Sequence, residues 1–387
     1  MPVSVSAGLS DAHDAAPAFM AAAEDAAAGL DGGCDLCIVF AAADHLEHAP
    51  EVLEIVHSRL RPAALIGCGA NGVIGAGREL EGGPGAVVWA LSAPGAAIEP
   101  MALTSVPVDG GVALGGLPED PAELGDAMIV LADPASFSTD ALLAHLNEAR
   151  PAMSVLGGLA SAAIEGSACL FLDDGVVAEG AVACSLGGVE ILPCVSQGAV
   201  PVGPEMTVTG AEGNLVTELA SKPALERLRE VIEDLDLREQ TLAAEGLLLG
   251  IVIDENQPEY ERGDFLVRPI AGVDPETGAV AVANMMRVGQ TVRVHVRDAG
   301  SASDDLRDAL STRALALGDA GAAGSLVFSC NGRGSHMFDG PGHDAEMIDD
   351  VLGAPAAGFF CAGEIGPVGG RNFLHGFTAT MAVFPRD

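Results

Sequence analysis

The chain has 387 residues, 49% of them hydrophobic, which is enough for a large buried core and for two domains or one large duplicated domain. Its 55 acidic and 18 basic residues give a formal net charge of −37, which disfavours binding to nucleic acid or to an anionic membrane. No run approaches the roughly 18 apolar residues of a spanning helix, and the first residues, MPVSVSAGLSDAHD, lack the basic and apolar regions of a secretory signal. We therefore expect a globular cytoplasmic protein, and a salt-rich cytosol and a GC-rich genome would each account for its acidity.

Eight cysteines are spread through the chain without the close, even spacing of a disulfide framework. Cys34 and Cys37 form a C-x-x-C pair, but no second pair follows at the spacing of a zinc site. Cys37 also lies inside an apolar stretch that is typical of a strand. The sequence therefore predicts reduced, mostly buried thiols, no metal and no cofactor.

The N-terminal part alternates between helical and extended patterns. A helical pattern over residues 12–30 leads into the strand pattern CDLCIVFAA, and DHLEHAPEVLEIVHSRL has apolar residues at helical spacing. The strand pattern AALIG, a glycine-rich loop and the strand pattern AVVWAL follow. Further on, AMIVLAD predicts a strand, residues 139–150 predict a helix, and LFLDDGVVAEGAVACSL predicts a β-hairpin that turns at Asp174 and Gly175.

The C-terminal part continues the alternation. The segment VTELASKPALERLREVIEDL predicts a helix with Pro223 in its first turn, because its leucines and isoleucine form a stripe at helical spacing. Strand patterns then appear in LLLGIVI and QTVRVHV, a helix is predicted to begin at Ser301 or Ser303, and SLVFSC is again a strand pattern.

A glycine motif occurs near both ends of the chain. Residues 67–75 read GCGANGVIG and residues 358–366 read GFFCAGEIG, so both contain G-x-x-x-x-G-x-I-G without a gap. Each copy follows a strand–helix–strand pattern and precedes an apolar strand pattern. We therefore predict an α/β fold with mixed β-sheets covered by helices and two related halves, an internal duplication with its boundary between residues 237 and 247.

These segments resemble a known family. PEYERGDFLVRPIAGVDPETGAVAV, SLVFSCNGRGSHMF and GFFCAGEIGPVGGRNFLHG resemble the C-terminal FIST domain (F-box and intracellular signal transduction), and CDLCIVFAAADH, ALIGCGANGVIG and EILPCVSQGAVPVG resemble the N-terminal FIST domain. The resemblance implies an N-terminal FIST domain over residues 1–237 and a C-terminal one over residues 238–387. It also implies a stand-alone sensory protein that binds a small ligand, such as an amino acid or a small carboxylate, and signals to a downstream protein. The family loop commonly reads close to G-C-S-T-A-G-E-I, whereas Val73 stands here in place of the acid, so the resemblance favours a site in the C-terminal half.

Polar residues follow two predicted strands of the C-terminal half, where loops on a rigid scaffold commonly carry function. One loop, SCNGRGSHMF, follows the strand LVFS, and the other, CAGEIGPVGGRN, follows the strand AAGF. If the two strands are neighbours, both loops face one pocket. The predicted ligand-binding residues are Cys330, Asn331, Arg333, Cys361, Glu364, Arg371 and Asn372.

The charges in these loops suit an amino acid. Glu364 would accept hydrogen bonds from the ammonium group, and Arg333 or Arg371 would bind the carboxylate. The alternative is structural, because Glu364 would equally pair with an arginine of the chain or cap amides of the loop. The glycines of both loops would leave amides free for an anion, or would only allow tight turns.

Two other functions fit the same loops. In a cysteine-dependent hydrolase or transferase acting on a small amide or thioester, Cys330 or Cys361 would be the nucleophile, with His336, His343 or His375 as base. An interaction scaffold would instead show an exposed apolar patch and no pocket. Because small thiols beside apolar residues usually serve packing, we predict a sensory protein with no catalytic residues, no nucleic-acid partner and no membrane partner.

Overall fold

A computed structural model describes residues 2–164 and 166–386. The described residues form seven α-helices: α1 Ala15–Gly29, α2 Ala49–Leu60, α3 Thr139–Ala149, α4 Ala224–Asp234, α5 Leu237–Glu245, α6 Ala299–Leu317 and α7 His343–Leu352. None of these helices has both the length and the apolar character that crossing a membrane requires.

The described strands are numbered in chain order. Those of the first half of the chain are β1 Ser4–Ser10, β2 Leu36–Ala42, β3 Ala64–Ala70, β4 Gly72–Gly75, β5 Arg78–Glu81, β6 Ala86–Ser92, β7 Ala97–Val108, β8 Gly111–Gly115, β9 Ala127–Ala132, β10 Ser154–Leu159, β11 Ala163–Ile164, β12 Ser167–Ala168, β13 Leu170–Leu172, β14 Gly175–Val177 and β15 Ala181–Gly187. Those that follow are β16 Leu192–Gln197, β17 Ala199–Glu212, β18 Leu215–Leu219, β19 Lys222–Pro223, β20 Leu247–Val252, β21 Phe265–Val273, β22 Val280–Val282, β23 Thr291–Arg297, β24 Ala322–Cys330, β25 Ala356–Cys361, β26 Glu364–Val368, β27 Arg371–His375 and β28 Thr378–Pro385.

The chain divides into two compact units that do not follow its linear halves. Unit 1 consists of Met1–Ser196, Leu306–Leu374 and Ala379–Asp387, and unit 2 consists of Gln197–Asp305 and His375–Thr378. The domain boundary between residues 237 and 238 stays a prediction.

Besides the two-stranded antiparallel sheet β11–β12, unit 1 contains three mixed sheets. Their strand orders are β1-β6-β2-β3-β13-β14, β27-β26-β10-β9-β15-β7-β8 and β16-β28-β24-β25-β4-β5. Each contains a parallel pair whose strands are joined through a helix, namely β2–α2–β3, β9–α3–β10 and β24–α7–β25. The predicted α/β class with mixed sheets is confirmed. The structure contains the parallel strand–helix–strand unit three times, once in each of these sheets.

The two glycine motifs pair with each other. In the third sheet β4 runs antiparallel to β25, so that Gly75 lies opposite Ala357 and Ile74 lies opposite Gly358. Gly358 has to be a glycine, because a Cβ there would lie 1.8 Å from the carbonyl oxygen of Val327 on β24. The similar motifs thus meet in one sheet.

This pairing belongs to a cyclic exchange of hairpins. The hairpin β4–β5 follows β3 of the first sheet but completes the third sheet, and β26–β27 follows β25 of the third sheet but completes the second. The hairpin β13–β14 follows β10 of the second sheet and completes the first, where Leu170 lies opposite Cys68. In each of the three mixed sheets, therefore, the chain continues into a hairpin that pairs with another of these sheets, and a hairpin from a different sheet completes it.

A shared core joins the three sheets of unit 1. Alternate residues of their strands form one apolar cluster, within which the rings of Phe40 and Phe359 stack at 4.9 Å and Trp89 packs 5.2 Å from Phe384. Burial of each such ring contributes about 1.5–3 kcal/mol. Helices cover the other faces, with α1 and α2 on the first sheet, α3 on the second, and α6 and α7 on the third.

Local sequence explains the closest helix contact. The buried residues of α1 are alanines and Phe19 at spacings of three and four, so the helix presents a shallow face. Gly8 of β1 allows that face to approach, because a Cβ at Gly8 would lie 2.0 Å from the Ala22 carbonyl oxygen.

Unit 2 is built around one antiparallel sheet in the order β17-β23-β20-β21-β22-β18-β19. The helices α4 and α5 contribute to its apolar core. Helix α4 begins directly after Pro223, in the segment predicted to be helical, and α5 begins with a capping box between Asp236 and Glu239.

Candidate functional site

A cavity of about 450 Å³ opens in unit 1 where β24 and β25 end and the hairpin β4–β5 lies beside them. It is lined by Asn71, Gly72, Glu81, Gly82, Asn331, Ser335, His336 and Phe360. The first glycine motif supplies Asn71 and Gly72, the second supplies Phe360, and the loop after β24 supplies most of the rest. The loop after β24 therefore lines the cavity together with residues of the N-terminal half, whereas the loop after β25 contributes no residue to its wall.

Glu81 is the acidic residue of the cavity wall, and it binds the loop after β24. Its carboxylate accepts hydrogen bonds from the Ser335 amide at 3.0 Å and from the Ser335 hydroxyl at 2.8 Å. Gly334 has φ +55°, and a Cβ there would lie 2.7 Å from the Glu81 carboxylate. A glycine is thus needed both for the turn and for the close approach of Glu81.

Glu79 anchors the same hairpin to the start of α7. Its buried carboxylate accepts hydrogen bonds from the amides of Gly342 at 2.7 Å, Asp344 at 3.0 Å and Ala345 at 3.1 Å. Burial and the nearby charge of Asp344 raise the pKa of Glu79, although the backbone donors oppose that change. Because the N-terminus of a helix favours an acid, this contact holds β5 against α7.

Arg333 is held inside the protein by Asp344. Both side chains are fully buried, and they form two hydrogen bonds, Nε to Oδ2 at 2.7 Å and Nη2 to Oδ1 at 2.8 Å. Ser329 donates a third hydrogen bond to Asp344, and Nδ1 of His343 lies 2.9 Å from its other oxygen. Burial would raise the pKa of Asp344, but Arg333 overcomes this and holds that pKa below its usual range. The forked donor predicted for a ligand carboxylate is therefore occupied by Asp344.

One nitrogen of the Arg333 guanidinium takes no part in the hydrogen bonds with Asp344. Nη1 is buried and has no hydrogen-bond partner among the described residues. The guanidinium also lies 5.4 Å from the centre of the Phe338 ring, which stacks on His343 at 3.5 Å. These contacts fix the loop between β24 and α7.

Glu364 and the two predicted thiols are buried in the same region. Glu364 begins β26 and lies opposite Gly158 of β10. Burial would lower the pKa of the Arg333 guanidinium, but Asp344 and, to a smaller extent, the charge of Glu364 raise it. Cys361 packs against Gly158, where a Cβ would lie 2.3 Å from its sulfur, and Cys330 lies beside Cys361 in the parallel pair β24–β25. Burial, followed by the charge of Glu364, raises the pKa of Cys361. A buried thiol of this kind resists ionisation and is a poor nucleophile.

Arg371 and Asn372 lie on β27, at the edge of the second sheet. Arg371 is exposed. Asn372 is buried, and its side chain accepts a hydrogen bond from the Val155 amide at 2.9 Å and donates to Asn147 at 3.1 Å and to the Met153 carbonyl oxygen at 2.9 Å. Asn372 thereby connects α3 to β10, and these contacts give it a structural role.

Of the seven predicted ligand-binding residues, Asn331 lines the cavity. Asn71 belongs to the first glycine motif, where either a turn or a ligand contact would suit an asparagine, whereas no motif of the sequence contains Glu79 or Glu81. The signal that marks these two acids is the alternation in RELE, which places both on one face of a short strand.

Family models match most of the chain. The FIST N domain matches residues 35–222 and the FIST C domain matches residues 224–367, so the chain belongs to the FIST family, whose domains are associated with signal transduction and sensing. The resemblance predicted from the motifs is confirmed.

Similar proteins come from mycobacteria. The uncharacterized protein Rv0628c of Mycobacterium tuberculosis is 42% identical over 383 residues, which cover 98% of this chain and 99% of that protein. The uncharacterized protein Mb0898c of Mycobacterium bovis is 40% identical over 386 residues, covering 99% of each chain.

Proposed function

We propose that this FIST protein is a cytoplasmic sensory protein that binds a free amino acid in the cavity beside Glu81 and reports its presence to a downstream signalling protein. The observation that carries the proposal is the composition of the cavity wall. It combines one carboxylate, two side-chain amides, one imidazole and one aromatic ring in a volume of about 450 Å³. Ligand sites typically combine an apolar surface with a few convergent polar groups in this way.

The wall suits the three parts of an amino acid. Glu81 retains unused lone pairs beside its bonds to Ser335, so it can accept hydrogen bonds from an ammonium group. The amides of Asn71 and Asn331 can donate to the carboxylate, and the ring of Phe360 offers an apolar surface for the ligand side chain. A ligand carboxylate without an ammonium group would be repelled by the negative charge of Glu81, so an amino acid suits this cavity better than a simple carboxylate does.

The earlier pairing of Glu364 with Arg333 as direct ligand contacts stays a prediction. Both side chains are fully buried, and Arg333 already forms two hydrogen bonds with Asp344. A role in holding the loop that carries Asn331 and Ser335 agrees better with these contacts. The cysteine-dependent enzyme gains no support, because the burial of Cys361 raises its pKa.

A binding experiment tests the proposal. A ligand that prefers the native state raises the melting temperature, so a thermal-shift panel of the common amino acids and matched simple carboxylates should give shifts for particular amino acids. Calorimetry with the best amino acid should then show that Glu81→Gln weakens binding about 10- to 100-fold, which is the value of a hydrogen bond to a charged group. Glutamine keeps an oxygen that can accept a hydrogen bond from the Ser335 amide, so the loop after β24 should stay in place.

The matched control is Glu226→Gln in the first turn of α4 in unit 2, which should bind as the unaltered protein does. The proposal is wrong if no amino acid raises the melting temperature. It is also wrong if Glu81→Gln leaves the affinity unchanged while Glu364→Gln abolishes binding, because the ligand would then contact Glu364 instead.

A further inference from the structure

Ser161 connects two residues of the cavity wall. Its hydroxyl accepts a hydrogen bond from the Asn71 amide at 2.9 Å and donates one to the Phe360 carbonyl oxygen at 2.5 Å. Asn71 and Phe360 both line the cavity, whereas Ser161 lies outside the lining. An effect of Ser161 on a ligand would therefore pass through these two neighbours.

The three exchanged hairpins depart from the residues that this hydroxyl joins. Asn71 lies between β3 and the hairpin β4–β5, and Phe360 lies in β25, ahead of β26–β27. Ser161 follows β10 and precedes the hairpin β13–β14. One side chain thus links the places where the chain leaves each of the three mixed sheets.

The same local structure recurs at all three places. Gly67, Gly157 and Gly358 lie on the second strands of the three parallel pairs, and a Cβ at any of them would lie 1.8–2.3 Å from a valine carbonyl oxygen of the first strand. Asn71 stands four positions after Gly67, and Ser161 stands four positions after Gly157. Asn71 and Ser161 therefore occupy equivalent positions in two strand–helix–strand units, and a hydrogen bond joins them.

Backbone contacts place Ser161 without the help of its hydroxyl. The Leu159 amide donates to the Gly363 carbonyl oxygen at 2.8 Å, and the Ala362 amide donates to the Leu159 carbonyl oxygen at 3.0 Å. Strand β10 continues this antiparallel pairing with β26. Because these bonds do not involve the Ser161 side chain, removal of the hydroxyl should leave the surrounding fold in place.

The hydroxyl fixes the Asn71 amide relative to the Phe360 ring. Gly72 follows Asn71, and a Cβ at Gly72 would lie 2.9 Å from Cδ2 of Phe360, so the ring packs directly on this part of the backbone. In the proposed function, the Asn71 side chain contacts the ligand carboxylate and the Phe360 ring contacts the ligand side chain. The separation of these two contacts therefore depends on how Asn71 and Phe360 are joined.

We propose that Ser161 is a positioning residue of the cavity, whose hydroxyl holds Asn71 and Phe360 at the separation that a bound amino acid requires. The proposal rests on the proposed function, since it assigns both neighbours to the ligand. A hydroxyl suits this task because it donates and accepts at the same time, whereas the alanine side chain does neither.

Hydrogen exchange in ligand-free protein gives the first measurement. Ser161→Ala removes the acceptor of the Asn71 amide, so exchange at this amide, followed by NMR, should accelerate about 3- to 10-fold, the range for one lost hydrogen bond. Calorimetry with the best amino acid of the thermal-shift panel should show a loss of affinity of the same size. Ser161→Thr keeps the hydroxyl and should restore both values to those of the unaltered protein.

Ser105→Ala is the matched control. The Ser105 hydroxyl accepts a hydrogen bond from the Ser138 amide at 2.9 Å and donates one to the Ser136 carbonyl oxygen at 3.4 Å, so this change also removes one bond of each kind. Ser105 lies on β7 and does not line the cavity. Ser105→Ala should leave the exchange at Asn71 and the affinity unchanged, which separates a positional effect from a general loss of stability.

The proposal is overturned if the Asn71 amide of ligand-free Ser161→Ala exchanges as slowly as that of the unaltered protein. This result needs no ligand, so it is distinct from a failure of the proposed function, in which no amino acid raises the melting temperature. Accelerated exchange would then still show that Ser161 holds Asn71. The proposal is equally overturned if Ser161→Ala binds as tightly as the unaltered protein, or if Ser161→Thr loses as much affinity as Ser161→Ala.

Discussion

The buried ion pair between Arg333 and Asp344 gives a quantitative test of how the loop beside the cavity is held. We expect Arg333→Met to be strongly destabilising, because methionine fills much of the same space but leaves the Asp344 carboxylate buried without its cation. Both side chains are 0% exposed, and they are joined by hydrogen bonds of 2.7 and 2.8 Å. Removal of one partner from such a pair costs about 3–5 kcal/mol.

The pH dependence follows from the direction of the Asp344 pKa. Because Arg333 holds this pKa below its unfolded value, Asp344 stabilises the unaltered protein above about pH 3.9, and that contribution is lost as the pH falls further. In Arg333→Met, the effect of burial is opposed only by the smaller contribution of His343, so the pKa of Asp344 should rise above the unfolded value. The penalty of the substitution should therefore be largest near pH 7 and should shrink as the pH is lowered toward 4.

Urea denaturation followed by tryptophan fluorescence measures this penalty in the relevant unit. Trp89 is the single tryptophan of the chain and is fully buried in the core of unit 1. Arg371→Met is the matched control, since Arg371 is exposed, and it should change the free energy of unfolding by no more than about 0.5 kcal/mol. A penalty below about 1 kcal/mol for Arg333→Met, or one that is the same at pH 7 and pH 4.5, would refute the reasoning.

Two further substitutions test contacts elsewhere. Asn372→Ala should destabilise unit 1 by about 2–4 kcal/mol, because it leaves the buried Val155 amide without its acceptor and the Met153 carbonyl oxygen without its donor, and hydrogen exchange at the Val155 amide should accelerate. In unit 2, burial against Gly250 lowers the pKa of His295 to about 4, so this histidine stays neutral in the folded state while the unfolded chain protonates near pH 6.5. Stability should therefore fall by about 3 kcal/mol between pH 6.5 and 4, and His295→Gln should flatten that part of the profile.

Clear results would contradict these two expectations. Normal protection of the Val155 amide in Asn372→Ala would show that Asn372 does not hold α3 against β10. An NMR titration in which the His295 ring protonates near pH 6.5 in folded protein would show that the imidazole is solvated, and the expected loss of stability would then disappear.

The sequence predicted the parts of the fold that have a local signature. The period of the apolar residues indicated the strand–helix–strand segments, and the repeated G-x-x-x-x-G-x-I-G indicated that the ends of the chain are related. Gly358 shows why the motif has a physical basis, since β25 can approach β24 only without a side chain at that position. Such patterns can be predicted from the sequence because each residue type reflects the burial and the backbone packing at its own position.

The exchange of hairpins could not be predicted in this way. Pairing of Ile74 with Gly358 joins residues far apart in the chain, and neither segment differs locally from a strand that pairs within its own sheet. The candidate site was missed in part for a similar reason. Glu81 reaches Ser335 across the same pairing, and Arg333 looked available for a ligand because its partner, Asp344, follows an intervening turn.

The exchange of hairpins also sets the order in which the protein can be completed during synthesis. Strand β4 leaves the ribosome early together with its hairpin partner β5, but its other neighbour, β25, is made only near the end of translation. Strand β10 likewise cannot pair with β26 until that strand has been made. At about 5–20 residues per second, this interval amounts to tens of seconds. Throughout it, the apolar segment GVIG of β4 lacks its partner in the third sheet, so the nascent chain carries an unpaired strand edge that a chaperone or a misplaced strand can occupy. We expect the acidity of the chain to be of use at this stage, since charge repulsion between nascent copies keeps such edges apart.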